Sequence, residues 1–403
     1  MSKEAVAPPS EGRCFRRVLG THDSGQPGPT MLVMGGIHGN EPGGVRAVIS
    51  VLARLQEQAT GIRGRFVAVA GNLGALESDQ RFLARDLNRQ WLPANVAALR
   101  SRESVSDNEE DREQRELVEV FEKFIGESRG PLLFVDLHTC SSEGPPFTCF
   151  SDTLTNLRIA RAIPIPVILG LEEAIDGAVL DFFNERGLPC IAVEGGKHDH
   201  PATADHLEAA LWILLVQAGC LRPAEVPDLD RYRHRLAIAA GGCQGTLEIR
   251  DHHRITPEDR FVMEPGFQSL DGVRKGQLLA HDAGGEIRAT ESGRVLLPLY
   301  QEEGEDGFFL TRRVTGYWLR VAMLARRLRL DKLLPLFPGV SRHPSRAETF
   351  LVSRRIARWP LVGCLHLLGF RRRRPEGDHW TFSRRRTALS SRALPWESPG
   401  RDE

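Results

Sequence analysis

GGIHGNEPGG (35–44) holds the first residues able to do chemistry, with His38 and Glu41 three positions apart just past the apolar run TMLVMGGI (30–37). At a strand-to-helix junction this spacing lets an imidazole and a carboxylate converge on one point. A metal ion asks for that, and a hydrogen-bonded loop pair would look the same. The glycines permit a sharp turn, and Pro42 suits the first turn of the following helix. In PLLFVDLHT (131–139), Asp136 and His138 are two apart and share one face of an extended chain. A histidine at a strand's C-terminal end can complete a two-histidine, one-carboxylate zinc site whose fourth position is left to water. Asp136 then either orients a histidine or ties down a loop.

RFLARDLNR (81–89) lies between these motifs. Arg81 and Arg89 carry fixed positive charge, and Arg89 with Asn88 can fork a carboxylate; by itself the stretch also reads as ordinary solvated loop. Glu194 ends the aliphatic run PCIAVEGG (189–196), a position suited to a general base facing a cleft.

Positioning these groups requires an α/β scaffold. TMLVMGGI, RFVAVAGN (65–72), PLLFVDLH, IPVILG (165–170) and PCIAVEGG read as buried strands, with helices expected near 42–58, 112–129, 153–162, 176–187 and 203–219. Such alternation favours a sheet with helices on both faces. The polar stretch SRESVSDNEEDREQRE (101–116) is expected to begin as an exposed loop. After Pro227 short strand-like pieces such as GTLEIRDHH, GRVLLPLY and GFFLTR predict a compact β region. The predicted division is 1–227, 228–315 and a basic, partly helical extension over 316–403, whose last ten residues are expected to fray.

The 403 residues hold 53 basic and 53 acidic side chains, but unevenly. Residues 312–403 carry 21 basic against 7 acidic groups, leaving 32 against 46 in the rest. No apolar run reaches the roughly 18–20 residues of a membrane span. The start MSKEAVAPPSEGRCFRR lacks an apolar signal core, and seven scattered cysteines without paired spacing suit reduced thiols. The expected location is cytoplasmic.

Taken in order, H-x-x-E, R-x(6)-N-R, D-L-H-T and V-E-G-G each fall on or after a predicted strand end. The arrangement from about Thr30 to Leu221 resembles the succinylglutamate desuccinylase/aspartoacylase family, relatives of the zinc carboxypeptidases. That resemblance implies a zinc-carboxypeptidase-like mixed sheet flanked by helices, followed by a smaller β-rich domain that covers one wall of the cleft. It implies one Zn2+ per chain held by His38, Glu41 and His138. Arg81 would polarise the scissile carbonyl, Asn88 and Arg89 would hold the substrate's carboxylate, and Glu194 would move the proton. The implied activity is hydrolysis of the amide bond of a small N-acyl amino acid. Aspartoacylases proper also use a tyrosine from the β region; here the comparable stretch GFFLTR has Phe308 and Phe309, with Tyr300 nearby.

Other residues receive blander readings. His198 and His200 either line the entrance or belong to a polar loop capping the next helix, the latter being favoured. Cys140 is a neighbour of the site and not a ligand, and Asp251, His252 and His253 are expected at the surface. The arginine-rich extension has apolar residues that call for packing on the acidic body or on a second subunit of a homo-oligomer; nucleic acid or an anionic surface is the less favoured partner. Two alternative functions stand beside the deacylase: a metallocarboxypeptidase acting on peptides, and an anion-binding protein working through the extension.

Overall fold

The computed structural model describes residues 15–57, 61–301, 303–357 and 361–384. The start and the last ten residues, with the expectations attached to them, lie outside this set. The strands are β1 (Val18–Asp23), β2 (Thr30–Gly35), β3 (Arg65–Ala70), β4 (Leu132–Cys140), β5 (Phe147–Cys149), β6 (Val167–Leu169) and β7 (Cys190–Lys197). They continue as β8 (Thr246–Arg254), β9 (Val262–Met263), β10 (Gly272–Val273), β11 (Leu278–Asp282), β12 (Gly285–Arg288), β13 (Gly293–Leu296) and β14 (Asp306–Val314). In the extension they are β15 (Val340–Arg342), β16 (Thr349–Ser353), β17 (Arg372–Glu376) and β18 (His379–Ser383). The helices are α1 (Pro42–Glu57), α2 (Leu73–Ser78), α3 (Pro93–Ser101), α4 (Glu109–Gly126), α5 (Leu154–Ala160) and α6 (Leu171–Ala174). Then follow α7 (Val179–Asn184), α8 (Ala202–Gln217), α9 (Leu229–Ala239), α10 (Gly316–Arg327) and α11 (Leu361–Leu367).

One sheet of eleven strands, ordered β1-β3-β2-β4-β7-β5-β6-β8-β14-β13-β10, runs through the body. Its centre, β3-β2-β4-β7, is parallel. Alternation along these strands feeds two cores. Met31, Val33, Phe66 and Ala68 face one, with α1, α8 and α9, while Leu32, Met34, Val67 and Val69 face the other, with α4 and α7. Strands buried on both faces are continuous apolar runs, which is why they stand out in the sequence. β8 pairs with β6, so the strands after residue 228 continue the same sheet, and Leu296 and Phe309 join the second core. A three-stranded sheet, β12-β11-β9, sits beside them.

The stretch 101–116 begins exposed, as expected, over residues 102–106, and then enters α4 at Glu109; the helix is capped reciprocally by Asn108 and Asp111 and buries Glu110, Asp111, Glu113 and Gln114. The extension is more than helices: α10 and α11 pack on a four-stranded antiparallel sheet, β15-β16-β18-β17. Arginine-rich RRRPE forms its edge strand β17, where Pro375 costs little ladder bonding. Phe350, Phe370 and Phe382 give this unit its own core.

The extension is held to the body chiefly by buried charge. Arg326 donates to both oxygens of Asp152 at 2.8 Å each and Arg371 pairs with Asp152 and Glu248, while an exposed pair joins Arg374 to Asp176. Among the described residues no helix is long and apolar enough to cross a membrane.

Candidate active site

Parallel strands deliver their C-terminal ends to one place. β2 stops at Gly35, and α1 crosses so close that a side chain on Gly35 would meet the Gly44 backbone at 2.5 Å. The intervening turn, with Gly36 at φ +77°, carries His38 and Glu41 inward. β4 lies next to β2 and presents His138. On β7, the neighbour of β4, Glu194 is the register partner of His138.

Glu41 sits between the two imidazoles. His38 Nδ1 is 2.7 Å from Glu41 Oε1 and His138 Nδ1 is 3.1 Å from Glu41 Oε2, while the Thr139 N–H donates to Oε2 at 2.8 Å. Each ring turns its other nitrogen to an aspartate: His38 Nε2 is 3.1 Å from Asp86 and His138 Nε2 is 2.7 Å from Asp136. Metal-binding histidines are usually held in this way, because a carboxylate on one nitrogen fixes the lone pair of the other. The three residues each offer a donor atom, all within 4.8 Å of one another, and all three are buried. The donor set, two imidazoles and a carboxylate, fits a zinc-type divalent cation.

The electrostatics follow from packing carboxylates against these rings. Burial opposes ionisation of Glu41, yet His38 and His138 outweigh it and hold the carboxyl well below its ordinary range. Burial likewise disfavours charge on His138, but Asp136 and Glu41 raise its pKa well above normal. For Asp86, burial is overcome by His38 and Arg81, and its pKa is well below the usual range. Glu194 behaves oppositely. Burial, reinforced by Glu41 and Asp136 against the pull of His138 and Arg81, pushes it up to about 8. Its Oε2, together with Asp136 Oδ1 and Arg81 Nε, is buried without a hydrogen-bond partner.

The loop carrying the arginines is pegged from below. Glu110 of α4 accepts the backbone N–H groups of Leu83, Ala84 and Arg85 at 2.7, 2.8 and 3.1 Å. Gly39 N–H donates to the Arg81 carbonyl at 3.2 Å, joining this loop to the histidine turn. Arg81 donates to Asp86 at 3.0 Å and lies 3.8 Å from Glu41. Asn88, which lines the cavity, accepts the Val179 N–H through Oδ1 at 2.8 Å. Arg89 donates to Asp306 of β14 at 2.7 Å.

All seven residues singled out in the sequence (His38, Glu41, Arg81, Asn88, Arg89, His138 and Glu194) line one cavity of about 140 Å³. His198 also lines it, 2.6 Å from the Thr139 hydroxyl, whereas His200 accepts the Ala202 N–H at the start of α8. Cys140 lines the cavity too, but burial pushes its thiol pKa well up, and it is outside the donor cluster. Tyr300 bonds Glu264 and Phe267 backbone atoms and does not line the cavity. His252 departs from the expected surface position: it stacks on Phe309 with centroids 4.4 Å apart and bonds Asp306 at 2.7 Å. Asp86, Asp306 and Glu110 carry site contacts that the sequence did not single out. Asp86 lies within the quoted RDLNR stretch, but nothing in the sequence marks Asp306 or Glu110 as their partners.

A large mixed sheet flanked by helices, with buried polar groups gathered where its parallel strands end, defines a mixed α/β class of protein. Residues 27–215 match the succinylglutamate desuccinylase/aspartoacylase catalytic domain. Over those residues, just under half of the chain, the sequence is similar to that family. It is 34% identical over 62 residues to a succinylglutamate desuccinylase of Photorhabdus laumondii, covering 15% of this chain and 19% of that protein. The enzyme of the same name from Burkholderia pseudomallei is 27% identical over 146 residues, covering 33% and 41%. In both cases the match spans less than half of the relative's own length. A longer alignment, to succinylglutamate desuccinylase of Serratia proteamaculans, is 25% identical over 280 residues, 66% of this chain and 79% of the relative. The fold resembles the crystal structure of a succinylglutamate desuccinylase/aspartoacylase from Rhodobacter sphaeroides, with TM-score 0.54, 19% identity, and coverage of 72% and 87%.

Proposed function

We propose that this protein is a zinc-dependent hydrolase that releases the amino acid from a small N-acyl amino acid by cleaving its amide bond. The observation that carries this reading is the buried His38–Glu41–His138 cluster, both imidazoles backed by aspartates, with an unpartnered glutamate on the next strand. His38 and His138 through Nδ1, and Glu41 through its carboxylate, would hold the ion. A divalent cation there supplies Lewis acidity, which polarises an amide carbonyl and makes water easier to deprotonate.

The remaining steps belong to the protein. Glu194 takes a proton from the attacking water and passes it to the departing nitrogen; its raised pKa places it near neutrality, where a group can both accept and return a proton. Arg81, fixed by Asp86, directs its guanidinium at the carbonyl oxygen as negative charge develops there. Asn88 and Arg89 bind the free carboxylate of the amino acid and set the amide in line with Glu194.

Elemental analysis of the purified protein and of the His38→Ala/His138→Ala double variant tests the reading. About one zinc per chain, lost in the variant, is the expected result. Wild-type protein that takes up no metal even when zinc is supplied would overturn it. A panel of N-acyl amino acids and dipeptides then separates a deacylase from a carboxypeptidase.

A further inference from the structure

Arg89 donates to the Asn88 carbonyl at 3.0 Å and feels two acids, Asp306 in contact and Asp86 through space. Asp306 occupies one edge of its guanidinium at 2.7 Å and is itself bonded to His252, which lies flat on Phe309. Asn88, next to Arg89 in the chain, takes the Val179 N–H, and the residues flanking that junction, Ala178 and Leu180, line the same cavity as the arginine. Leu171 and Ile175 complete this wall, and all five side chains line the cavity. Leu171, Leu180 and Phe309 are buried members of the second core, so the wall is fixed, packed apolar material and not a flexible rim.

The charges complete the picture. Among the described residues, Arg81 and Arg89 are the lysine or arginine side chains lining the cavity, and each already has an acidic partner. Glu172 and Asp306 add negative charge on the side of the apolar wall. One substrate carboxylate can still use the remaining N–H groups of Arg89, since a guanidinium offers five. A second carboxylate on the same amino acid would meet aliphatic carbon and like charge, with no cation to neutralise it.

We infer that the amino acid released by this site has an apolar side chain, aliphatic or aromatic, seated against Leu171, Ile175, Ala178, Leu180 and Phe309, and that glutamate and aspartate derivatives are rejected. This rests on the proposed N-acyl amino acid reading and narrows it. The substrate-class determinants are Ile175, Leu180 and Phe309, with Asp306 limiting Arg89 to a single carboxylate.

The test uses the full-length, zinc-loaded protein and two readouts. Calorimetric titration compares L-leucine and L-phenylalanine with L-glutamate and L-aspartate, and hydrolysis compares their N-acetyl derivatives and N-succinyl-L-glutamate. The apolar amino acids should bind at least about tenfold more tightly, with the same order in kcat/KM, because a mismatched group in a shaped pocket costs at least that factor. Ile175→Arg, at a half-buried position, should lower the apolar-to-acidic ratio by about tenfold or more. If that variant fails to fold, the wild-type comparison still decides. Acidic amino acids bound as tightly or more tightly, or neither class bound, overturns the inference. Selective binding of apolar amino acids with no N-acyl derivative cleaved leaves the inference standing and removes the hydrolase reading.

Discussion

Glu194 is a buried carboxyl with one oxygen left unpartnered beside a cluster of donors, an arrangement a merely structural residue would not need. Glu194→Gln preserves shape and removes the base. It should retain zinc while turnover falls about 10²–10⁴-fold, the usual contribution of a general base. Loss of zinc from this variant, measured by elemental analysis beside the kinetics, would make Glu194 a ligand and cancel the assigned role. At Arg89 the expected effect differs: Arg89→Ala should weaken binding of a free-carboxylate substrate and narrow its preference over the corresponding amide. An unchanged acid-to-amide ratio would exclude the carboxylate contact. Single residues of this kind were legible where the signal was local. His38 and Glu41 are three apart and Asp136 and His138 two apart, so spacing alone brings each pair to one strand end. Asp306 reaches Arg89 across 217 positions, and no local pattern in the sequence encodes such a meeting.

Elements tell a less direct story. The parallel strands were readable because burial on both faces makes them unbroken aliphatic runs. Helix α4 was expected near 112–129 and runs from Glu109 to Gly126; what the sequence did not show is that the acids of its first turns are buried. The physical reason is that Glu110 and Glu113 are buried as acceptors for backbone N–H groups: Glu110 serves residues 83–85, and Glu113 serves Leu73 and Gly74. Buried acidic residues acting as pegs look the same in composition as exposed ones. Removing a peg leaves its donors stranded. Glu110→Ala should therefore lower stability by at least about 1–3 kcal/mol, the cost of an unsatisfied buried polar group. It should also raise KM through the displaced Arg81–Arg89 loop. Chemical denaturation and steady-state kinetics on the same preparation check both; an unchanged midpoint with unchanged KM would show that the loop holds itself.

Across the whole molecule, the division of charge between an acidic body and a basic extension has a structural counterpart in Asp152 and Glu248, which receive Arg326 and Arg371. The charge asymmetry was visible in the sequence; the four-stranded sheet that orders the arginines was not, because RRRPE lacks the β-branched and aromatic residues that mark strands. Burial opposes ionisation of Asp152, but Arg326 and Arg371 outweigh it and lower its pKa. For Glu248, burial is overcome by His366 and Arg371, and the pKa falls to about 2. Both folded values lie below the unfolded ones near 4. The stabilisation is thus complete above about pH 5 and is lost as pH falls toward 2. Acidification over that window should loosen the extension, seen as protease cleavage between residues 316 and 340. Asp152→Asn with Glu248→Gln should show the cleavage already at neutral pH and flatten its acid dependence. A wild-type-like profile in the double variant would mean that apolar packing alone holds the extension.

The long span between Arg89 and Asp306 also sets an order of events. A ribosome adds roughly 5–20 residues per second, so the residues from His138 to Phe309 take about ten to thirty seconds to follow. During that interval the nascent chain already has every candidate metal ligand but neither the acid that restrains Arg89 nor the aromatic wall beside it. The selectivity of the site is completed late, and a ribosome that stalls before β14 would release a chain with the reactive groups, Ile175 and Leu180 but without Asp306 and Phe309.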